Sequence, residues 1–339
     1  FGPLSDRFGR RPPLIAGLVI YILAAGAAAV APSFATLLAC RFVQGIGAAA
    51  TRVISVSIVR DTFEGRRMAE VMSLIFMVFM AIPVVAPGIG QILMLLASWH
   101  FIFVAMAVGA LLTSAWALLR LPETLHPEYR RPLTAKAVLG GFGIVLTNRI
   151  ALCYALASTF TFAAMFGFIN SSQQIYVGIY DLGEMFPVVF AAVAGLIALS
   201  NFANARLVGR IGMRRLSQGA LLALLGISLL WLALSLAGHM PLLLFVAIFA
   251  SAMVPFAMLG SNFNALAMEP LGALAGTASS VLGFMQTFLG GLLGTLIGQA
   301  FDGTVTPLAA SFCLVSAGAL AAVLVAERGR MFPPHNPPT

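Results

Sequence analysis

Ten stretches of mostly apolar residues, each long enough to cross a bilayer, follow one another along this chain of 339 residues. A membrane-spanning helix needs about 20 such residues. Charged residues make up only 9% of the sequence, whereas soluble domains carry roughly 25%. Because so little charge cannot cover a water-facing exterior, the sequence predicts an all-α, polytopic membrane protein with most of its surface in lipid.

The segments between these stretches alternate in charge. The predicted spans cover residues 14–31, 35–59, 71–96, 101–119, 150–177, 185–205, 216–237, 241–268, 274–301 and 307–326. Every Lys and Arg except Arg41 and Arg52 lies in or beside one alternate set of connecting segments, and the other set has none. The positive-inside rule therefore predicts that the basic segments and the C-terminus are cytoplasmic. The net charge of +8 follows from this topology, and we expect no nucleic-acid partner.

The chain also contains a repeat. Residues 2–11 and 205–214 match at four of ten positions with a constant offset of 203. The matches are Leu4 with Leu207, Arg7 with Arg210, Gly9 with Gly212 and Arg11 with Arg214. Internal repeats are typical of membrane transporters. Applied to the spacing of the spans, the repeat predicts that about 50 residues precede Phe1, which would supply a first helix and most of a second.

This repeat and the longest polar segment predict four regions. Residues 1–121 form the remainder of an N-terminal six-helix bundle, and residues 122–149 a cytoplasmic linker. Residues 150–326 form a C-terminal six-helix bundle, and residues 327–339 a cytoplasmic tail.

The first residues, FGPLSDRFGRRPPL, contain the pattern G-x-L-x-D-R-x-G-R-R. With this motif the chain resembles the major facilitator superfamily, and in particular its Bcr/CflA-type drug:proton antiporters, over essentially its whole length. The motif residues are Gly2, Leu4, Asp6, Arg7, Gly9, Arg10 and Arg11. The resemblance implies a cytoplasmic gate in which Arg10 pairs with Asp61 and Asp6 contacts residues 272–277. The alternative is that these charges only fix the topology.

A second signature, LLACRFVQGIGAA at residues 37–49, places Arg41 inside a predicted span. A charge at that depth is expensive unless it faces the bundle interior or water. The resemblance implies a role in proton coupling for Arg41, Gln44 and Gly45. Arg52 lies about 20° away on the same helical face, and the resemblance assigns it no role. Packing or snorkelling toward the interface is the alternative for both arginines.

A third signature, APGIGQ at residues 86–91, resembles the antiporter motif G-P-x-x-G-G, with Ala86 and Gln91 in place of the flanking glycines. The residues assigned to this motif are Pro83, Pro87, Gly88 and Gly90. Prolines bend a helix, and glycines let a neighbouring helix approach closely. The resemblance therefore favours export over uptake, and a simple helix kink is the alternative.

Candidate cavity-lining residues are polar, aromatic or sulfur-containing side chains on otherwise apolar helices, which adapt to varied hydrophobic ligands. Four of them recur at spacings of three and four and so share one helical face. These four are Thr159, Phe162, Phe166 and Asn170, and the other candidates are Asn201, Asn262, Asn264, Met285 and Gln286. Ordinary helix packing is the alternative for each of them.

We expect no catalytic residues, no metal site and no cofactor. The four histidines lack metal-ligand spacing, and the sequence has no P-loop motif for ATP. No Asp or Glu lies deep in a predicted span, although proton coupling needs a titratable group in the translocation path. The family resemblance implies that this acid lies in the first helix, which the repeat places before Phe1.

The predicted function is export of hydrophobic or cationic drugs in exchange for protons, by alternating access, in the bacterial inner membrane. The expected partners are a small-molecule substrate, protons and the lipid bilayer, and the expected state is a monomer. One alternative is a transporter of the same fold for a polar metabolite. The other is a non-transporting membrane protein or an inactive truncated remnant.

Overall fold

The computed structural model describes residues 1–63, 92–125 and 135–332, together with the single positions 71, 82, 86, 89, 90 and 128. The chain divides into two compact units, Phe1–Gly140 and Gly141–Thr339. Every regular element in the described ranges is helical.

Four helices of the first unit are described over their whole length before the unit boundary. They are α1 (Gly2–Phe8), α2 (Arg11–Ala29), α3 (Phe34–Thr62) and α4 (His100–Arg120). Proline occupies the first turn of α1 and of α2, where its missing N–H leaves no hydrogen bond unmade. Ser33 caps α3, because its hydroxyl accepts a hydrogen bond from the Thr36 N–H at 3.2 Å. Both α3 and α4 pack on α2.

The second unit is arranged around one long helix. After α5 (Ala135–Thr147), which crosses the unit boundary, come α6 (Arg149–Gln173), α7 (Phe186–Ile211), α8 (Met213–Leu236), α9 (Leu242–Met268), α10 (Ala275–Phe284), α11 (Gly290–Gln299) and α12 (Thr306–Ala326). π-helical turns follow α6 (Gln174–Ile179) and join α10 to α11 (Met285–Leu289), and 3₁₀ turns precede α7 (Gly183–Met185) and α10 (Glu269–Leu274). Helix α6 packs against α9, α11 and α12.

Aromatic side chains form the centre of this second unit. The ring of Trp231, which is fully buried, lies 5.7 Å from the ring of Phe249 and 5.5 Å from that of Phe312, centroid to centroid. Tilted and edge-on contacts at such distances stabilise aromatic pairs beyond the area they bury. The core therefore holds α8, α9 and α12 together.

Nine helices among the described residues are long and apolar enough to cross a membrane. They correspond to nine of the ten predicted spans, and the tenth, residues 71–96, lies mostly outside the described ranges. Large apolar side chains on α4 are exposed, with Leu112 at 67% and Leu119 at 84%. Apolar surface of this extent marks contact with a membrane or a partner. The chain is a multi-pass, all-α membrane protein.

Two predicted connections are more helical than expected. Helix α7 continues to Ile211, so that Arg206 and Arg210 are helical and only Gly212 separates α7 from α8. The predicted linker, residues 122–149, contains α5. The charge pattern predicts where the spans end, but arginine is a good helix former and the helices continue into the basic segments.

Candidate functional site

The turn between α1 and α2 buries a charged side chain, that of Arg10, which is only 2% exposed. Its Nε donates to Asp61 Oδ2 at 2.6 Å, and its Nη1 donates to Asp6 Oδ1 at 2.6 Å. Nη1 also donates to Ser5 Oγ at 2.8 Å. The predicted pair of Arg10 with Asp61 is present, and we refer to Ser5, Asp6, Arg10 and Asp61 as the Arg10 cluster.

The two carboxylates keep the buried guanidinium charged. Burial alone would lower the pKa of Arg10, but hydrogen bonds to Asp61 and Asp6 and their negative charges raise it above its ordinary value. A buried cation needs both a counter-charge and hydrogen-bond acceptors. The Arg10 cluster supplies both, from α1 on one side and from the end of α3 on the other.

A further carboxylate, that of Glu123, covers the start of α2. The backbone N–H of Arg10 donates to Glu123 Oε1 at 2.7 Å, and that of Arg11 donates to Oε2 at 3.2 Å. The first N–H groups of a helix have no partner within it, and negative charge is favoured at this end of the helix dipole. Glu123 therefore fastens the segment after α4 to the start of α2.

These backbone contacts also set the acidity of Glu123 and the identity of residue 9. Burial alone would raise the pKa of Glu123, but the hydrogen bonds from Arg10, Leu125 and Arg11 lower it below its ordinary value. Gly9 has a φ of 95°, a conformation that side chains disfavour. A Cβ at position 9 would also lie 2.5 Å from Glu123 Oε2. Both the turn and the Glu123 contact therefore require glycine.

Two more residues of the loop motif hold this region in place. The Gly2 carbonyl accepts a hydrogen bond from Ser5 Oγ at 2.8 Å. The Arg11 Nη2 donates to the Leu118 carbonyl at 2.8 Å, which satisfies one of the carbonyls that the end of α4 leaves free. These contacts lie beside the Arg10 cluster.

The remaining loop residues lie at the surface of the first unit. Leu4 is 40% exposed, and the guanidinium of Arg7 lies 5.2 Å from the centroid of the Phe8 ring. The predicted contact of Asp6 with residues 272–277 falls on side chains outside the described set. That contact stays a prediction.

The second half of the repeat forms a related turn within the second unit. Gly212, between α7 and α8, has a φ of 87°. The Arg214 Nη2 donates to Glu269 Oε2 at 2.9 Å, and its Nε lies 3.4 Å from Glu327 Oε1. An arginine after the turn again connects acids at the ends of two other helices, α9 and α12.

Arg41 and Gln44 form a polar pair on α3. The Arg41 Nη1 donates to Gln44 Oε1 at 2.6 Å, and the guanidinium lies 5.6 Å from the centroid of the Phe103 ring on α4, within the range of a cation–π contact. Gln44 is 2% exposed, and its Nε2 has no hydrogen-bond partner among the described residues. A buried donor without an acceptor is destabilising. The pair therefore presents a donor that a further acceptor would satisfy.

The glycines of the two in-span signatures are less constrained. A Cβ at Gly45 or at Gly90 would meet no described atom within 4 Å. The other residues of the antiporter motif, Pro83, Pro87 and Gly88, lie outside the described residues. The roles of both signatures stay predictions.

The predicted cavity face of α6 lies against α11. Glycines spaced four residues apart on α11 face it, and a Cβ on any of them would contact α6 at 3.0 Å or less. These glycines are Gly290, Gly294 and Gly298, and they face Phe162, Phe166 and Asn170 respectively. Thr159 is 3% exposed, and its hydroxyl donates to the Ala155 carbonyl at 2.8 Å. The stripe of glycines lets the two helices pack closely. Close packing is what the alternative of ordinary helix packing predicts for this face of α6.

Two other predicted cavity residues make hydrogen bonds between helices. The amides of Asn262 and Asn204 bond reciprocally, at 2.8 and 3.3 Å, and connect α9 to α7. The Gln286 Nε2 donates to Ser158 Oγ at 2.8 Å. Polar side chains of this kind join helices inside a membrane, so both residues have an interior role.

The last three predicted cavity residues are Asn201, Asn264 and Met285, and they differ in burial. The Asn201 Nδ2 donates to the Ile197 carbonyl at 3.1 Å, Asn264 is half-buried, and Met285 is 6% exposed. Their part in a substrate cavity stays a prediction.

Sequence reasoning missed several residues that the structure brings into these sites, among them Ser5, Glu123, Asn204 and Ser158. The sequence contained a signal for Glu123, because this residue is the acid of LPETL, residues 121–125, which directly follows Arg120 at the end of an apolar span. Asn204 and Ser158 had none, because a single polar residue on an apolar helix does not reveal which helix it contacts.

A family model described as Major Facilitator Superfamily matches residues 1–295. The bicyclomycin resistance protein homolog of Haemophilus influenzae is 32% identical over 312 residues, which cover 91% of this chain and 77% of that protein. The multidrug resistance protein MdtL of Citrobacter koseri is 32% identical over 296 residues, covering 84% of this chain and 71% of that protein.

Two solved structures share the fold. The crystal structure of the human organic anion transporter MFSD10 superposes with a TM-score of 0.64 at 21% identity, covering 96% of this chain and 79% of that one. A bacterial homolog of the human lysosomal transporter Spinster, in an inward-facing conformation, gives a TM-score of 0.64 at 15% identity, with 96% and 82% covered.

Proposed function

Because this chain belongs to the Major Facilitator Superfamily, we propose that it is a secondary active transporter that exports hydrophobic or cationic drugs in exchange for protons. The names of the relatives that match it, for bicyclomycin and multidrug resistance, support drug export. No covalent step is part of this function, so the protein is not an enzyme.

The observation that carries the transport proposal is the Arg10 cluster. Alternating access needs contacts that hold in one state and separate in another. Arg10 connects the α1–α2 turn to the end of α3, and Glu123 connects it to the segment after α4. Buried charge pairs of this kind have two discrete arrangements, paired or hydrated, and so suit a gate that opens and closes.

Proton coupling is assigned to Arg41 and Gln44. Gln44 Nε2 is a buried donor that the described residues leave unsatisfied, and Arg41 adds a positive charge beside it. Together these groups would stabilise a carboxylate, which lowers the pKa of that carboxylate and favours proton release. A cationic drug would then compete with the proton for that carboxylate.

The remaining assignments concern organisation and location. Residues 1–121 belong to the N-terminal six-helix bundle and residues 150–326 to the C-terminal one, with residues 122–149 as the linker and 327–339 as the tail. We place the protein in the bacterial inner membrane as a monomer. Its C-terminus belongs to the basic set of connecting segments, which supports a cytoplasmic position.

Export from cells tests the proposal. The protein is expressed in a strain that lacks its own multidrug pumps, and the cells are loaded with ethidium or with other drugs of several classes. We expect efflux that stops when an uncoupler collapses the proton gradient. Arg41→Ala should reduce the efflux rate at least tenfold, whereas the matched variant Arg52→Ala should reduce it less.

Two results would contradict the proposal. Absence of efflux for every drug class would exclude drug export, and efflux that persists after the uncoupler would exclude proton coupling. Unchanged coupled efflux in Arg41→Ala would remove the role of Arg41 alone.

A further inference from the structure

A groove with a volume of about 400 Å³ lies on the second unit, between the end of α7, the first half of α8 and the middle of α9. Among its lining residues are Arg215, Leu216, Gly219, Ala223, Val254 and Met258. The volume is within the range of small-ligand sites. The groove is lined by residues of the second unit, whereas the Arg10 cluster and the Arg41–Gln44 pair are formed by residues of the first.

The lining is apolar except at one end. Arg215 lies in the first turn of α8, and the lining from Leu216 to Ala223 continues along the helix for about 10 Å, at 1.5 Å per residue. A ligand that fills the groove therefore needs a negative group at the end near residue 215 and an apolar chain that extends away from it.

The segment that contains Arg215 has an excess of positive charge. Residues 206–215 hold four arginines and no acid, and one of the four, Arg214, pairs with Glu269 and Glu327 from other segments. Another of the four, Arg206, stacks its guanidinium over the Phe202 ring at 4.4 Å from the centroid, in the manner of residues at a membrane–water interface. Basic pockets beside membrane helices attract anionic lipid headgroups.

We propose that the groove binds an anionic phospholipid, with one acyl chain along α8 and α9 and the phosphate at Arg215. A cationic amphiphile, which is the class assigned above to the transported drugs, would be repelled at this end of the groove. A zwitterionic lipid would bind more weakly than an anionic lipid, because its headgroup carries no net charge. The inference does not depend on drug export, since it concerns a different surface.

The groove can be filled without disturbing the helix. A Cβ at Gly219 would meet no described atom within 4 Å, so that Gly219→Leu would place a side chain in the acyl-chain position. Gly226, on the same helix, is outside the groove lining and also has no described atom within 4 Å of a built Cβ. Gly226→Leu is therefore a matched control for the change in helix propensity.

The test is native mass spectrometry of the purified chain with dioleoyl phosphatidylglycerol, and with dioleoyl phosphatidylcholine as the zwitterionic comparison. We expect wild type and Gly226→Leu to retain one phosphatidylglycerol molecule in preference to phosphatidylcholine. Gly219→Leu should lose it, and Arg215→Gln should weaken binding about fivefold, the effect of one arginine near a charged surface.

Equal retention of the two lipids by wild type would overturn the proposal, and so would undiminished phosphatidylglycerol binding by Gly219→Leu. If tetraphenylphosphonium displaces the lipid from wild type but Gly219→Leu no longer binds that cation, the groove is a drug site and the lipid assignment is wrong. Because Gly219→Leu adds no charge, it keeps the test valid if Arg215→Gln fails to fold.

Discussion

Gly9 and Gly212 occupy equivalent places in the repeat, and each turns the chain between two helices with a positive φ, 95° and 87°. After each turn an arginine connects acids from elsewhere in its unit. In the first turn this residue is Arg10, whose side chain is 2% exposed. In the second turn it is Arg214, whose side chain is 24% exposed. Arg214 aligns with Arg11 and therefore lies one position further along the repeat than Arg10. Both turns depend on a glycine with a positive φ, and the placement of charge differs.

The difference shows which part of the motif the turn requires. At the offset of 203, the second turn has Val208, Gly209 and Met213 where the first has Ser5, Asp6 and Arg10. The second turn therefore forms without a buried arginine cluster. Glycine is needed for the conformation, and the Arg10 cluster is an addition to it, which is consistent with a role in gating.

The largest expected difference between the turns is in the effect of removing one acid. Asp61→Ala would leave the buried Arg10 with Asp6 as its counter-charge and should destabilise the protein by about 2 kcal/mol, because hydrogen bonds to a charged partner contribute about 1.5–3 kcal/mol. Glu269→Ala removes a partner that is itself 44% exposed, and should cost at most about 1 kcal/mol. The measurement is the melting temperature of each purified variant in the same detergent.

Equal shifts in melting temperature would break this comparison. They would mean that Arg10 is hydrated in the membrane-bound protein to the same degree as Arg214. If Glu269→Ala lowers the melting temperature much more than Asp61→Ala, the more strongly stabilising charge cluster is the one in the second turn.

The next prediction separates gating from stability. The combined variant Ser5→Val, Asp6→Gly, Arg10→Met and Asp61→Asn gives the first turn the apolar character of the second and leaves no charge buried alone. Replacing a whole buried ion cluster is often neutral for stability, so we expect a change within about 1 kcal/mol, the amount that one helical glycine contributes. Ethidium efflux should nevertheless fall at least tenfold, while Arg206→Met, an exposed arginine of the second repeat, should keep it.

Efflux at the wild-type rate in the combined variant would reduce the Arg10 cluster to a structural feature. Loss of both efflux and the folded state would show that the cluster is needed for folding, contrary to the comparison with the second turn.

Features that depend on neighbouring residues were predictable from the sequence, whereas contacts between residues far apart in the chain were not predictable from local patterns. The spans follow from local apolar runs, and the pair of Arg10 with Asp61 came with the family resemblance. The contact of Glu123 with the α2 N-terminus joins residues 113 positions apart, so the LPETL sequence could mark Glu123 as notable but could not indicate its partner. The same holds for Asn262 and Gln286, whose polarity was visible while their partners on other helices were not.

The smallest expected effect concerns the pH dependence that Glu123 gives to the first turn. Its pKa is lower in the folded protein than its ordinary value of about 4.5. The stabilisation is therefore fully present above about pH 4.5 and is lost as the pH falls through the lower, folded pKa. Glu123→Gln should lower the melting temperature at pH 7, and the difference from wild type should shrink below pH 4.5 as the carboxyl group becomes protonated. A difference that stays constant down to acid pH would show that the contribution of the backbone hydrogen bonds to Glu123 does not depend on its charge.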